Sequence, residues 1–313
     1  MDKIVNAGIR ITRKCNMNCP YCNIVSRETE DLSLEEWMKA LDIIRDLGAK
    51  NLVLLGGEPT QYEKICELIS YANKIGIECS LTTNGINNYD IVEKILDAGL
   101  NKIGISVDNL DFKKSLSPMK CKSGMELINK LLQNYHKKPI QIINYTVVHK
   151  KNIHTVVEQI KYMNEMNVST YLLPYHWGNE GSFEHRKDSA KNAFTTDEDY
   201  KIFCEVMDEI IDLKRNGCKI VNSEEFIQAS KKHIMNLDWR CDGLSELRVD
   251  SDGKMVCCCD NVGDVNKNFT IFDLKDPNKL QEFFKLRNQD ASKCKGCLWP
   301  SSFEAENIKL KNM

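Results

Sequence analysis

The feature that most restricts the fold of this chain is a repeat in its first half, where short β-branched segments alternate with amphipathic helices. The β-rich segments begin roughly 24 to 43 residues apart, and one strand-helix unit takes about 30 residues. They lie at residues 8–12, 51–55, 78–82, 102–107, 140–148 and 170–173. Helical periodicity occupies the intervals, as at 33–47, 62–75, 89–98 and 153–166. This pattern predicts an α/β fold with six parallel strands, either doubly wound or curved into a barrel, with active residues at the carboxyl ends of the strands.

The second half of the chain departs from this repeat. Residues 177–196 are polar and predict a linker or lid. Two helices are predicted after it, at 198–215 and 223–236. An Asp-Gly pair at Asp252 and Gly253 predicts a hairpin turn between residues 247 and 257. We therefore expect a barrel domain, a helical linker and a small C-terminal α+β domain, at 1–185, 186–235 and 236–313. Because the last part has little apolar sequence of its own, we expect a bound metal to stabilise it.

Composition excludes several classes of protein. Hydrophobic residues make up 42% of the chain, enough for a packed core, so a disordered protein is excluded. The net charge of −2 is dispersed, which argues against nucleic-acid binding. No apolar stretch is long enough for a membrane span and no secretory signal begins the sequence, so we expect a cytoplasmic protein.

Cysteine usage indicates metal binding. The chain has 14 cysteines, and the reducing cytosol does not sustain a disulfide framework. Three of them form a tight group at Cys15, Cys19 and Cys22, directly after the first predicted strand. Six more lie near the C-terminus, at Cys241, Cys257, Cys258, Cys259, Cys294 and Cys297. Two metal sites at opposite ends of the sequence follow as a hypothesis.

The N-terminal triplet favours an iron–sulfur cluster. A structural zinc site takes four ligands, whereas this loop offers three thiols and no nearby histidine. A cluster held by three thiolates leaves one iron open to a substrate or cofactor. A zinc site completed by a distant ligand is the alternative. At the end of the second strand, Gly56, Gly57, Glu58 and Pro59 let the backbone approach a ligand ammonium group, with the carboxylate completing its recognition.

The spacing Cys-x3-Cys-x2-Cys, with Tyr21 before the last cysteine, resembles the radical S-adenosylmethionine (SAM) enzymes. The resemblance implies a partial (βα)6 TIM-type barrel, a [4Fe-4S] cluster on Cys15, Cys19 and Cys22, and SAM bound to its open iron. It implies that Tyr21 lies near the adenine and that the Gly-Gly-Glu-Pro segment binds SAM. By the same resemblance, we expect polar groups after later strands to contact SAM: Asn84, Ser106, Asp108 and Asn144. His176, after the sixth strand, is expected to meet the substrate.

The C-terminal cysteines are similar to the SPASM extension of these enzymes, in its shorter twitch form. The resemblance implies one auxiliary [4Fe-4S] cluster, with ligands at Cys241, Cys258, Cys294 and Cys297. Four thiolates also suit structural zinc, which stays open as an alternative. Among three consecutive cysteines the ligand assignment can shift by one position. A spare thiol at Cys257 or Cys259, or Cys258 itself, is a candidate hydrogen-atom donor to a carbon radical.

The resemblance implies reductive cleavage of SAM to a 5′-deoxyadenosyl radical, which removes hydrogen from substrate carbon. We expect oxidative cross-linking or epimerisation of a ribosomally made peptide, with a flavodoxin- or ferredoxin-type reductant. The alternative substrate is an aminocyclitol or sugar, acted on by a dehydrogenase or epimerase. The first strand begins near Gly8, which leaves no room for a leader-binding domain and weakens the peptide interpretation. A non-catalytic iron–sulfur electron carrier is a further alternative from a different class.

Overall fold

The computed structural model of the protein describes residue 4 and residues 6–26, 30–86, 89–176, 191–241, 246–256, 268–294 and 296–311. Its strands are β1 (Asn6–Arg10), β2 (Asn51–Leu55), β3 (Glu78–Thr83), β4 (Lys102–Ser106), β5 (Gln141–Val148), β6 (Ser169–Pro174) and β7 (Glu246–Val249). Its helices are α1 (Leu34–Asp46), α2 (Ile65–Lys74), α3 (Tyr89–Asp97), α4 (Pro118–Asn134), α5 (Val156–Glu165), α6 (Asp197–Arg215), α7 (Glu224–His233), α8 (Pro277–Ser292) and α9 (Pro300–Lys311). The predicted α/β class is confirmed.

The strands form one parallel half-barrel in the order β6-β5-β4-β3-β2-β1-β7. The six predicted strands are all present, and each pairs with the next along the chain. The prediction of six strands was one too few. The segment at Glu246–Val249, predicted as a hairpin arm in a separate domain, pairs in parallel with β1, with Gly8 opposite Arg248. Its own sequence pattern does not show this because a strand's partner is a tertiary property.

The two faces of the sheet differ in how they are packed. Strand residues such as Leu54, Ile103 and Ile105 face the helices and are fully buried in the main hydrophobic core. On the opposite face, here called the lumen face, Ser106 pairs in register with Tyr145, which pairs with Tyr171. These lumen-facing side chains are only half-buried.

The helices begin where local sequence favours it. Ser33 caps α1 by accepting from the Glu36 N–H, and the Glu36 carboxylate accepts in return from the Ser33 N–H, a capping box. Thr196 and Asp199 form the same arrangement at the start of α6.

The segment predicted as a helical linker packs directly on the barrel. Helices α6 and α7 form a second hydrophobic core with α5, whose buried members include Ile160, Phe203 and Phe226. Residues 219–221 lie beside β6 and extend the sheet. The Thr170 N–H donates to the Lys219 carbonyl at 2.8 Å.

The predicted turn in the C-terminal part is present. Gly253 has φ +80°, a conformation that favours glycine, and Val249 bridges Met255 across the turn. Contrary to the expectation of a part without its own apolar packing, Met255, Ile271 and Phe283 are buried in the main core. In the described ranges, no helix is long and apolar enough to span a membrane.

Candidate active site

The cysteine loop follows β1 and is held by the end of β2. The Ile11 N–H donates to the Leu55 carbonyl at 2.9 Å, the Gly57 N–H to the Thr12 carbonyl at 2.8 Å, and the Glu58 N–H to the Lys14 carbonyl at 2.8 Å. These bonds continue the strand pairing past the ends of both strands. The Gly-Gly-Glu-Pro segment therefore supports the backbone that leads into Cys15.

Glycine is required at position 57 because two carbonyl groups approach it. A Cβ there would lie far inside the contact distance of the carbonyl oxygens of Arg13 and Lys14. At Gly56 a Cβ would be 3.0 Å from the Thr12 carbonyl oxygen, which is also tight. Besides the predicted approach to a ligand, these two glycines bring two backbone segments together.

Glu58 is buried and joins the ends of β2 and β3. Its Oε1 accepts from the Thr60 hydroxyl and the Thr83 hydroxyl, both at 2.8 Å, and its Oε2 accepts from the Asn84 N–H at 2.8 Å. Burial raises the pKa of this carboxyl, while these hydrogen bonds oppose the shift. Glu58 thus fixes the local geometry, and its contact with a ligand ammonium group stays a prediction.

Asn84 connects the end of β3 to the cysteine loop. Its Nδ2 donates to Asn16 Oδ1 at 2.7 Å and lies 3.9 Å from the Cys15 sulfur. Asn16 in turn donates to the Ile86 carbonyl at 2.6 Å. Burial raises the pKa of the Cys15 thiol to about 11, above the usual value of a cysteine.

A cavity of about 180 Å³ lies between the cysteine loop and the strand ends. Its walls include the predicted cluster ligands and most of the predicted SAM-binding residues: Cys15, Cys19, Tyr21, Cys22, Gly56, Gly57, Glu58, Asn84 and Ser106. Pro59 is buried beside them in a 3-10 turn. Residues far apart in sequence therefore converge on one cavity at the carboxyl ends of the strands.

Lys120 also lines this cavity, and the sequence analysis did not identify it. Its Nζ donates to the Tyr21 hydroxyl at 2.7 Å and lies 3.0 Å from Asp108 Oδ2. Lys120 and Asp108 are buried, and Tyr21 is half-buried. Burial alone would lower the pKa of Lys120, but Asp108 and Tyr21 raise it well above its usual value, so the amine stays charged. Lys120 lies in the first turn of α4, and no motif around it in the sequence marks it as a site residue.

Two predicted SAM contacts lie elsewhere. Asp108 is fully buried and supports Lys120 from behind, and its Oδ1 accepts from the Val147 N–H at 3.1 Å. Asn144 pairs in register with Ile105, which faces the helices, and donates to the Thr146 hydroxyl at 2.7 Å. That hydroxyl also accepts from Gln159 of α5. Strand alternation thus turns the Asn144 side chain to the helix layer, away from the cavity wall, and its contact with SAM stays a prediction.

His176 has a structural position that the sequence did not show. Its Nδ1 donates to the Pro174 carbonyl at 2.8 Å, and its Nε2 accepts from the Leu298 N–H at 3.0 Å. The ring packs edge-on against Trp299, with centroids 5.5 Å apart. Both ring nitrogens bond to backbone groups, so His176 has a structural role here, and its contact with substrate stays a prediction.

The C-terminal cysteines are brought together in part. The Cys297 N–H donates to the Trp239 carbonyl at 2.8 Å, which places Cys241, two residues further on, beside the loop of Cys294 and Cys297. Gly296 has φ +116°, and a Cβ there would collide with the Asp238 backbone, so this loop turns tightly against residues 237–239. Cys257, Cys258 and Cys259 lie outside the described residues.

The donor set of the N-terminal loop fits a three-thiolate cluster site. Three sulfur-bearing side chains share one cavity wall, and they follow a tight loop in which the Cys22 N–H donates to the Cys19 carbonyl at 3.2 Å. Within the described ranges, no three His, Cys, Asp or Glu side chains are already gathered at metal-binding distance. A [4Fe-4S] cluster takes each thiolate on a different iron, so its ligands need not converge on one point.

Comparison with known proteins gives a matching family model over about half of the chain, and a shared fold. Residues 9–163 match the sequence model of the Radical SAM superfamily. The probable GTP 3′,8-cyclase of Pyrococcus abyssi is 26% identical over 267 residues, covering 82% of this chain and 84% of that protein. The PqqA peptide cyclase of Bradyrhizobium diazoefficiens is 24% identical over 168 residues, covering 49% of this chain and 41% of that protein.

Two solved structures share the fold. SuiB of Streptococcus suis, bound to S-adenosylmethionine, has a TM-score of 0.63 at 16% identity, over 82% of this chain and 60% of the SuiB chain. The protein anSMEcpe, bound to AdoMet and the Cp18Cys peptide, has a TM-score of 0.60 at 18% identity, over 99% of both chains. The predicted partial barrel is thereby confirmed.

Proposed function

The chain contains a radical SAM domain, and from this premise we propose that it is an enzyme that modifies a peptide by removing hydrogen from one of its carbon atoms. Membership of this superfamily implies a [4Fe-4S] cluster and SAM as cofactors. Together, the reduced cluster and SAM supply a 5′-deoxyadenosyl radical able to attack an unactivated C–H bond. The residues of the chain bind and orient these groups and exclude water around them.

The shared cavity is the observation that carries this proposal. Cys15, Cys19 and Cys22 would hold the cluster as thiolates. Lys120 is the one cationic side chain among the described residues of the cavity wall, and its charge suits the carboxylate of SAM. Asp108 keeps that amine charged and in place. The glycines at 56 and 57 let the backbone lie close to both the cysteine loop and the ligand.

The lumen face would receive the substrate. Tyr145 packs edge-on against Tyr171, with ring centroids 5.0 Å apart, and its ring covers Gly104, where a Cβ would collide with it. Thr82, which lines the cavity, is the register neighbour of Gly104. An aromatic wall therefore continues from the cavity into the half-barrel, and such a wall suits an apolar or aromatic peptide side chain.

The charges of the described lumen favour a peptide over a nucleoside triphosphate. Arg10 is paired with Asp250 at 3.1 Å and Arg248 with Glu246 at 2.8 Å. Lys120, the one cation among the described residues of the cavity wall, suits a single carboxylate rather than three phosphates. A triphosphate needs several cations that it does not share with carboxylates. The described part of the site thus offers a nearly neutral surface, and the relationship to PqqA peptide cyclase adds support.

A second candidate function is cyclisation of GTP, favoured by the 26% identity to the Pyrococcus abyssi protein over most of both chains. The two candidates differ in a direct test. The anaerobically reconstituted protein is reduced with dithionite in the presence of SAM, with GTP or with the peptide encoded by a neighbouring short reading frame. We expect the peptide, and not GTP, to increase formation of 5′-deoxyadenosine and to change in mass. A cyclised GTP product would overturn the peptide proposal.

We further propose that Cys241, Cys294 and Cys297, with one cysteine of 257–259, bind an auxiliary [4Fe-4S] cluster that transfers an electron or supports the fold. The support is the backbone pairing of Trp239 with Cys297, which brings two parts of the sequence to one place. Metal analysis of anaerobically purified protein tests this. Zinc at this site would contradict it.

The fate of the substrate radical is also open to experiment. Oxidation or cross-linking removes two hydrogens, whereas epimerisation returns one from a thiol such as Cys257, Cys258 or Cys259. In deuterium oxide, we expect a product lighter by two mass units without deuterium. Gain of one deuterium without oxidation would favour the epimerase instead. If the protein is a non-catalytic electron carrier, it will release no 5′-deoxyadenosine. If its substrate is an aminocyclitol, the peptide will be unchanged after the reaction.

A further inference from the structure

A buried ion-pair cluster lies at the base of the cysteine loop. Asp250, directly after β7, is 4% exposed, and its Oδ1 accepts from Arg10 at 3.1 Å and from the Ser251 N–H at 2.9 Å. Its Oδ2 pairs with Arg13, and both arginines are almost fully buried. Burial alone would raise the pKa of Asp250, but the two guanidinium groups lower it, so the carboxylate stays ionised.

Arg13 spans the cysteine loop. Its NH2 group pairs with Asp250, and its NH1 group donates to the Ile24 carbonyl at 3.2 Å. Arg13 lies two residues before Cys15, and Ile24 lies two residues after Cys22. The guanidinium group therefore connects the two ends of the segment that carries all three cysteines, and Asp250 sets the orientation of that group.

Asp250 itself is fixed by the C-terminal hairpin. Its N–H donates to the Lys254 carbonyl at 2.8 Å, and its carbonyl accepts from the Gly253 N–H at 2.9 Å. The neighbouring Ser251 carbonyl accepts from the Leu32 N–H at 2.8 Å, which attaches the hairpin to the segment before α1. A residue more than 230 positions away in sequence thus reaches the cysteine loop on a rigid support.

We propose that Asp250 is a positioning residue for the cysteine loop: through Arg13 it closes the base of the loop and keeps Cys15, Cys19 and Cys22 within reach of one cluster. This rests on the proposed use of the loop as a cluster site. The N-terminal cluster site then depends on the C-terminal hairpin, although every one of its ligands lies in the first 22 residues.

The test uses the whole chain without its cluster, so that the measurement does not depend on enzymatic activity. Hydrogen exchange of the amides in residues 15–24 is measured by mass spectrometry for the wild type, Asp250→Asn and Asp252→Asn. Asp252 lies in the same hairpin and pairs with the exposed Lys254, so it is a matched control. We expect exchange in the loop to be at least about tenfold faster in Asp250→Asn, because a buried ion pair is broken, and unchanged in Asp252→Asn. Unchanged exchange in Asp250→Asn would overturn the proposal.

A second variant separates positioning from folding. Asp250→Asn leaves two buried arginines without their carboxylate, which can destabilise the whole chain. The double variant Arg13→Gln/Asp250→Asn removes one charge of each sign. For the double variant we expect fast exchange limited to residues 15–24. We also expect fewer iron atoms to be retained there after reconstitution. Return of loop exchange to the wild-type rate would show that buried charge alone was responsible, and would overturn the proposal. Lack of peptide modification in the wild type would contradict the proposed function without affecting this result.

Discussion

His176 accepts a hydrogen bond from the backbone N–H of Leu298 at 3.0 Å, across 122 positions of the chain. The bond joins the end of β6 to the residue that follows Cys297. Trp299 packs against the same ring. The segment that carries Cys297 is therefore attached to the barrel at a strand end, at the residue predicted to contact substrate.

Replacing His176 with Ala should loosen the Cys294–Cys297 loop. The Leu298 N–H would lose its buried acceptor, which costs about 1 to 3 kcal/mol of unfolding free energy. His176→Gln offers an acceptor at a similar reach and should recover part of the loss. Denaturant unfolding and iron content of both variants check this. Equal iron content in wild type and His176→Ala would show that the bond does not support the second site.

Gly57→Ala should damage the cysteine loop. The added Cβ collides with the carbonyl oxygens of Arg13 and Lys14, which are backbone atoms with little freedom to move. We expect a loss of about 1 to 3 kcal/mol or more in unfolding free energy and poor cluster incorporation. Gly8→Ala is the control, because its Cβ would meet the nearest atom at 3.6 Å, an ordinary contact. Similar stability in the two variants would contradict the close approach at position 57.

Replacing Cys15, Cys19 and Cys22 together with Ala should abolish SAM cleavage and leave about one cluster of iron per chain. The control replaces Cys66, Cys204 and Cys218, which lie outside both cysteine groups and should keep both clusters. Iron and sulfide determination after anaerobic reconstitution decides the matter. Complete loss of iron in the first variant would contradict two independent sites.

Lys120→Met should weaken SAM binding. Loss of one charge-assisted contact corresponds to at least about a tenfold increase in Kd. Lys122→Met is the control, because Lys122 lies on the same helix and points into solvent. Equilibrium binding of SAM to the reconstituted protein measures the effect, with thermal unfolding as a check on the fold. Equal affinity for SAM in the two variants would show that Lys120 does not contact SAM.

Burial of His149 should lower the unfolding free energy of the protein in mild acid. This histidine is fully buried, and burial lowers its pKa from 6.5 to about 4. Between these values the unfolded chain binds a proton that the folded chain does not, so unfolding free energy falls by about 3 kcal/mol as pH drops from 6.5 to 4. Denaturant unfolding across this range should show a shallower slope in His149→Asn, which keeps an acceptor for the Lys151 N–H. The exposed His136→Asn should match the wild type, and identical slopes in all three would refute the assignment.

Local sequence was a reliable guide to the first half of the chain. The six predicted strands are present, because β-branched segments and helical periodicity report burial within a few residues. The cysteine loop and Gly57 were also identified, since both depend on short spacings. The direction of the Asn144 side chain could not be predicted in this way, because one step of strand alternation decides which face of the sheet a residue occupies.

Local sequence alone determined that this is an α/β protein with a three-cysteine loop and a glycine turn at neighbouring strand ends, because those features need only residues close along the chain. Tertiary structure alone decided that β7 joins the barrel, that Lys120 lines the cavity and that Asp250 reaches Arg13. The physical reason is that these three features depend on groups that meet only in the folded chain. A strand edge needs a hydrogen-bonding partner, and a buried charge or carboxylate needs a group of opposite charge.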